Sequence, residues 1–197
     1  APSDTNSTNN TAIAVNPIQV QVVVPQPTRL TAATLVTAPR SGRSTLIAGY
    51  SDGVLEFRDW QGAILATRSG FGQITALAAG IVGSPPLPRL FVASTDSGGT
   101  LRAIDLTNIN RNIASRSNLG FVTAIEVCGG AAGAVYIGTS DNGGTLRKLD
   151  ILTLADQNAR RNMGIVSKIV QMRSTWGDVL AVGSDSTGGS VYFVNRD

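Results

Sequence analysis

The chain of 197 residues contains no histidine and a single cysteine, Cys128. Without histidine, there is no His-based catalytic triad, no histidine general base and no His-ligated metal. One cysteine cannot form an intrachain disulfide or a cysteine-cluster metal site, and its apolar neighbours predict a small buried side chain. No apolar run approaches the ~20 residues of a membrane-spanning helix. We therefore expect no enzyme activity, no metal or other cofactor and no membrane span.

Charged residues are also few, at 15% of the chain, and 16 basic against 13 acidic residues give a formal net charge of +3. The basic residues are scattered, and no basic run exceeds the pair Arg160-Arg161. Nucleic-acid-binding proteins usually concentrate lysine and arginine on one face and interleave aromatic side chains, whereas aromatic residues make up only 5% of this chain. We therefore expect a solvated, mildly basic surface and no nucleic-acid partner.

Glycine is abundant, with 22 residues, and the chain contains an internal repeat. Each unit has an apolar stretch, a serine or threonine, an aspartate and a glycine-rich turn. The units recur about every 45 residues. The four turn aspartates are Asp52, Asp96, Asp141 and Asp185. Glycine supplies the positive φ of a tight turn, and aspartate accepts hydrogen bonds from the backbone just ahead of it. Each unit therefore predicts a β-hairpin.

Two more strands accompany each hairpin in the predicted unit. One follows the hairpin, over residues 63–68, 112–116 and 157–160, and closes on a turn that ends in glycine. The other opens the next unit. Four short strands in about 45 residues are typical of a propeller blade, so the sequence predicts an all-β, four-bladed β-propeller over residues 18–197.

The repeat resembles the WD40-like family of β-propellers. Blades of that family have serine or threonine at the end of the second strand, aspartate in the turn after it and aspartate at the end of the third strand. The matching residues are Ser51-Asp52, Thr95-Asp96, Ser140-Asp141 and Ser184-Asp185 for the turn, and Asp59, Asp105 and Asp150 for the third strand. The family's Gly-His pair is missing, and its Trp-Asp dipeptide occurs only in reverse order, as Asp59-Trp60. The resemblance implies a propeller without a close match to one family.

The last unit reaches Asp197 without a fourth strand, while the strand-like residues 18–25 precede the first unit. We predict that residues 18–25 complete the last blade, because an open blade would leave backbone groups unpaired. The alternative is that they complete a blade of a neighbouring copy, which would turn the missing strand into a polymerisation device.

Residues 1–17 form an arm that is mostly small and polar. Its two glycosylation sequons place potential sugar attachment at Asn6 and Asn9. Thr11, Ile13 and Val15 alternate with alanines, a pattern that favours a short strand able to add to a blade of the next subunit. We therefore expect an extracellular structural protein that assembles with itself into a fibre, with a glycan as a further partner. The alternative function is a ligand-binding propeller, either lectin-like or protein-docking.

The turn aspartates have candidate partners in Arg68, Arg116 and Arg160, each four residues before the closing glycine. One interpretation is a structural clasp in which each arginine binds a turn aspartate. The other is a ring of carboxylates or guanidiniums that binds a sugar or a cation. Trp60 is expected to pack or to lie half-exposed in a loop.

Overall fold

The computed structural model describes residues 28–37, 44–83, 85–129, 133–174 and 177–196. Strands dominate these ranges and form four antiparallel sheets in chain order. The predicted all-β fold, a β-propeller of four blades, is confirmed. Within the same ranges no helix has the length and apolar character needed to cross a membrane.

Each blade is an antiparallel meander. Blade 1 contains β1 (Leu30–Thr37), β2 (Ser44–Tyr50), β3 (Leu55–Arg58) and β4 (Ile64–Arg68). Blade 2 contains β5 (Ile74–Val82), β6 (Leu87–Ser94), β7 (Thr100–Asp105) and β8 (Asn108–Arg116). Blade 3 contains β9 (Val122–Cys128), β10 (Ala134–Thr139), β11 (Thr145–Asp150) and β12 (Asp156–Arg160). Blade 4 contains β13 (Val166–Ser174), β14 (Gly177–Ser184) and β15 (Ser190–Asn195).

Blade 4 therefore has three described strands where the other blades have four. Residues 18–25, predicted to supply its fourth strand, lie outside the described residues. The arm of residues 1–17 lies outside them as well, with Asn6, Asn9, Thr11, Ile13 and Val15.

The first strands of the four blades surround a central channel of about 170 Å³. Each of these strands is interrupted near its start by a β-bulge, at Thr31, Thr75, Thr123 and Ser167. Three of the four hydroxyls donate to a carbonyl of the second strand. Thr31 Oγ1, for example, donates to Gly49 O at 2.9 Å. Because a bulge disrupts the local ladder, the hydroxyl supplies a bond at that point. The repeat thus places a bulge with a hydroxyl residue at the inner rim of every blade, and in three blades this hydroxyl bonds the second strand.

Hydrophobic clusters fill three of the four interfaces between blades. Burying one large apolar side chain contributes roughly 1.5–3 kcal/mol, so these clusters hold neighbouring blades together. Representative buried side chains are Ile47 and Phe57 between blades 1 and 2, Leu101 and Ile137 between blades 2 and 3, and Ile169 and Leu180 between blades 3 and 4. Among the described residues, no such cluster joins blade 4 to blade 1.

The connection that leaves a blade packs against that blade's own turn. In blade 2, Leu119 N donates to Gly99 O at 3.0 Å, and Gly120 N donates to Gly98 O at 2.9 Å. Gly99 has a φ of +90°, and a Cβ there would lie 1.7 Å from Gly120 O. Only glycine combines this conformation with so close a backbone approach.

Candidate interaction sites

The four turn aspartates occupy equivalent places, between the second and third strands of their blades. Three of them bind the chain where it enters the blade. Their donors are Thr28 Oγ1 for Asp52 at 3.1 Å, Gly72 N for Asp96 at 3.4 Å and Ile165 N for Asp185 at 2.6 Å. These bonds attach the turn to the entering segment.

In blades 2 and 3, an arginine of the third strand binds the turn aspartate. The Arg102 guanidinium donates to both carboxylate oxygens of Asp96, and Ser94 Oγ donates to Oδ1. Arg102 first, and then Ser94, hold the pKa of the Asp96 carboxyl well below its usual range. In blade 3, Arg147 Nη2 lies 2.8 Å from Asp141 Oδ2. We refer to the pairs Asp96–Arg102 and Asp141–Arg147 as the turn clasps.

The arginines predicted to form these clasps, Arg68, Arg116 and Arg160, bind elsewhere, and that pairing was wrong. They end the fourth strands, one strand further from the turn than Arg102 and Arg147, so their side chains extend along the outer rim instead. Arg68 Nη1 donates to Ile109 O at 2.6 Å. Arg116 Nη1 donates to Leu154 O at 2.9 Å, and its Nη2 pairs with Asp156. These two arginines therefore link the outer strand of one blade to that of the next.

Arg160 holds the same position in blade 3, where the next outer strand would belong to blade 4. Its guanidinium lies over the ring of Tyr192, 5.5 Å from the centroid. Within the described ranges no carbonyl of a following blade accepts a bond from it, in contrast to Arg68 and Arg116. Among the described residues, the series of outer-strand links thus runs from blade 1 to blade 3.

The clasps leave little free charge on the turns of blades 2 and 3, because carboxylate and guanidinium satisfy each other there. In blades 1 and 4, the position of the clasp arginine holds Glu56 and Tyr192. Glu56 accepts from Arg58 and, at 2.7 Å, from Tyr50. Across the described residues no three acidic or cysteine side chains gather as a metal site requires.

The outer edge of blade 4 exposes apolar side chains at positions that blades 1 and 2 bury. Val191 and Phe193 on β15 are 63% and 68% exposed. Their equivalents in blade 1 are Leu55 and Phe57, which are buried against blade 2. In blade 2 the equivalents are also buried. The edge of β15 is therefore an apolar surface that another segment could cover.

A second apolar edge lies on β4. Ile64 and Leu65 are 51% and 60% exposed, and Trp60, on the turn before β4, is 80% exposed. Trp60 is thus more exposed than the sequence suggested. Native edge strands are usually protected by charged side chains, and the exposed part of β4 carries none.

Sequence reasoning missed the clasp arginines, the exposed edge of β4 and the exposed pair on β15. The clasp left a signal that could have been read, since aspartate and arginine recur at the same spacing in the second and third units. The exposed edges left no such signal, because a buried and an exposed apolar strand have similar sequences.

The clasp leads to a pH-dependent prediction. Asp96→Asn is expected to lower the free energy of unfolding at pH 7 by about 1–3 kcal/mol, as for charge-assisted hydrogen bonds. The folded pKa of Asp96 lies below the unfolded value of about 3.9. The stabilisation is therefore complete above the unfolded pKa and is lost as the pH falls towards the folded one.

Urea unfolding at pH 7 and pH 3 measures this difference. The control is Asp52→Asn, because Asp52 has no arginine partner among the described residues. A loss that is equal at both pH values would contradict the clasp.

Cys128 is buried, as predicted. Burial raises the pKa of its thiol to about 11, and a thiol reacts through its thiolate. A thiol reagent at pH 8 is therefore expected to leave the folded chain unlabelled and to modify one site per chain in denaturant. Rapid labelling of the folded protein would contradict the burial.

The chain matches no protein-family model, and no curated protein is detectably similar to it. Many solved structures are similar in fold, and two of them serve as examples. A chain in the crystal structure of the Mitotic Checkpoint Complex has a TM-score of 0.65 at 15% identity, over 87% of this chain and 50% of that one. A chain in the crystal structure of BBS1N in complex with ARL6DN has a TM-score of 0.64 at 16% identity, over 88% of this chain and 54% of that one.

The present chain thus spans about half the length of these two neighbours. At such low identity the likeness shows the fold alone, and a fold does not determine an activity. The chain has the fold of a WD40-like β-propeller, as its repeat predicts.

Proposed function

We propose that this chain is an extracellular structural subunit that assembles with copies of itself by strand addition. One observation carries the proposal: the described chain exposes apolar side chains on two strand edges, β4 and β15. Strand edges bind extended segments through backbone hydrogen bonds and pack alternate side chains into neighbouring grooves. The function is therefore that of a scaffold which binds extended chain, with no catalytic step.

The chain itself carries two segments of the required kind before its first described residue. Residues 18–24 are mostly valine and isoleucine, and Thr11–Val15 has β-branched residues at alternate positions. Two strand-like segments thus accompany two apolar edges. In this proposal, residues 18–25 pair with β15 of the same chain and complete the ring. The arm of residues 1–17 then remains to connect one copy to the next.

The extracellular location is part of the same proposal. Its support is the polar arm with sequons at Asn6 and Asn9, because glycosylation of such sites occurs on secreted chains. Mass spectrometry of the arm from native material is expected to find added sugar at one or both asparagines. An unmodified arm would argue against secretion through a glycosylating pathway.

Truncation tests the assembly. The full chain is expected to form large homopolymers, seen as high mass in light scattering and as filaments by negative-stain electron microscopy. A chain lacking residues 1–17 is expected to remain folded and monomeric, with an unchanged circular dichroism spectrum. A full chain that stays monomeric at high concentration, or polymers that survive the truncation, would contradict the proposal.

A ligand-binding propeller is the second candidate, and one cavity favours it. A pocket of about 290 Å³ between blades 3 and 4 is lined by Lys148, Arg160 and Arg196, with no acidic side chain in its lining. Arg196 is paired with Asp178, and the two further cations beside this cavity, Lys148 and Arg160, suit an anionic sugar. Binding of an acidic-glycan array by the full chain, lost in Arg160→Ala, would support this function; a silent array would remove it.

A further inference from the structure

The three described outer strands differ in their protection against added strands. β8 carries Arg111 and a series of asparagines, and β12 carries Asp156 and Arg160. Charged and polar edges of this kind discourage pairing with another chain. On β4 the only charged residue is Arg68, and its guanidinium is bound to blade 2. β4 is therefore the least protected of these edges.

An apolar groove runs beside β4, between blades 1 and 2. Its volume is about 350 Å³, and Leu65, Ala66, Phe57, Leu106 and Ile109 contribute to its lining. A strand added to β4 would place alternate side chains on opposite faces. One row of side chains of the added strand would therefore enter this groove. The other row would lie on the face of the sheet that carries Ile64.

We propose that β4 is the acceptor site for residues Thr11–Val15 of a second copy, which add to it as a fifth strand of blade 1. The proposal rests on the proposed function and names its acceptor. The segment has β-branched side chains at 11, 13 and 15 and alanines between them. In this arrangement Ile13 and Val15 would enter the groove beside Leu65, and the two alanines would lie on the opposite face.

The length of the connection assigns the segment to another copy. Only Asn16 and Pro17 separate Val15 from Ile18, and two extended residues span about 7 Å. Packed sheets are about 10 Å apart at their closest, and the blades of a propeller diverge towards the rim. With residues 18–24 on the edge of blade 4, the preceding segment is therefore too closely tethered to reach β4 of its own chain.

A lysine in the acceptor edge tests the site in the full chain. Leu65→Lys is expected to weaken self-association at least tenfold by sedimentation analysis. Because Leu65 is 60% exposed, the midpoint of urea unfolding is expected to change little. The matched control is Leu152→Lys, at an exposed leucine of blade 3, which is expected to associate like the parent. Unchanged association of Leu65→Lys would overturn the acceptor site.

Cross-linking identifies the two partners directly. A mixture of Ile13→Cys and Leu65→Cys chains is expected to give a disulfide-linked heterodimer under mild oxidation, with Cys128 protected by burial. Ile13→Cys mixed with Ala159→Cys, on the outer strand of blade 3, is the control and is expected to stay unlinked. Linked Leu65→Cys homodimers would show pairing of β4 with β4, and links to Ala159→Cys would show another edge; either result overturns the proposal.

The failure of this inference is distinguishable from that of the proposed function. If polymers form but ignore Leu65→Lys, then the acceptor site is wrong while self-assembly stands. If the full chain never associates, then self-assembly itself is wrong, and the acceptor site with it.

Discussion

The double substitution of Val22→Asp and Val24→Asp is expected to lower the free energy of unfolding by about 4 kcal/mol or more. Both valines are assigned to the missing strand of blade 4, opposite the exposed Val191 and Phe193. Loss of packing around large apolar side chains typically costs about 2–5 kcal/mol, and a carboxylate without a partner adds a desolvation penalty. Many domains have a total stability of only about 5–15 kcal/mol, so a large unfolded fraction is expected.

The position of this strand follows from the connections in the other blades. The carbonyls of Gln73, Phe121 and Ile165 each accept a bond from the following turn. In each case, the preceding outer strand ends five residues earlier, at Arg68, Arg116 and Arg160. Arg29 O makes the same bond to Ser51 N in blade 1. By the same spacing, a fourth strand of blade 4 is expected to end at Val24.

The register follows in the same way. The last residue of each outer strand lies opposite one position of the third strand, in the pairs Leu55 and Arg68, Leu101 and Arg116, and Leu146 and Arg160. The equivalent position of blade 4 is Val191, so we expect Val24 to pair with it. Two residues further, we expect Val22 to pair with Phe193.

Urea unfolding monitored by circular dichroism measures the effect. The control is Thr5→Asp with Thr8→Asp, which adds the same two charges to the arm and is expected to leave stability unchanged. Equal stability of the two double variants would show that residues 22 and 24 are not buried in blade 4.

Gly99→Ala is the second substitution with a large expected effect. An added Cβ would lie 1.7 Å from Gly120 O, where φ is already +90°. The connection would have to move, which breaks the bonds from Leu119 N and Gly120 N to this turn. Steric overlap together with a left-handed conformation for alanine is expected to cost about 4 kcal/mol or more.

Gly62→Ala is the matched control for this substitution. Gly62 has a φ of +86° but no atom within 4 Å of the added Cβ, so only the conformational cost of about 1 kcal/mol is expected. Thermal or urea unfolding of both variants makes the comparison. Similar losses for Gly99→Ala and Gly62→Ala would contradict the packing of the connection against the turn.

The fold was predictable because its determinants are local. The serine or threonine, aspartate and glycine of each turn act within a few residues, and they recur in four units, so the period and the blade count can be read from the chain. The boundaries followed with small errors. β8 begins at Asn108 and not at residue 112, because polar asparagines continue the strand on the exposed rim without an apolar pattern.

The contacts between strands were harder to predict. The partner of Asp96 depends on which strand lies beside the turn, and the sequence offered both Arg102 and Arg116 within twenty residues. The strand register decides which arginine binds Asp96: Arg102 pairs with Val92 of β6, the strand that leads into the turn. In the same way, the exposure of Leu65 depends on the absence of a neighbouring strand. Only tertiary structure contains that information.

A disulfide between Val22→Cys and Phe193→Cys in one chain tests the central claim most directly, which is that the N-terminal segment completes blade 4. Facing residues on paired strands lie close enough for such a bond. Oxidation of dilute protein is expected to give a monomer with an internal disulfide, found by mass spectrometry as a linked pair of peptides. The register control, Val23→Cys with Phe193→Cys, is expected to stay reduced. A disulfide that forms only between chains, or none at all, would contradict the account.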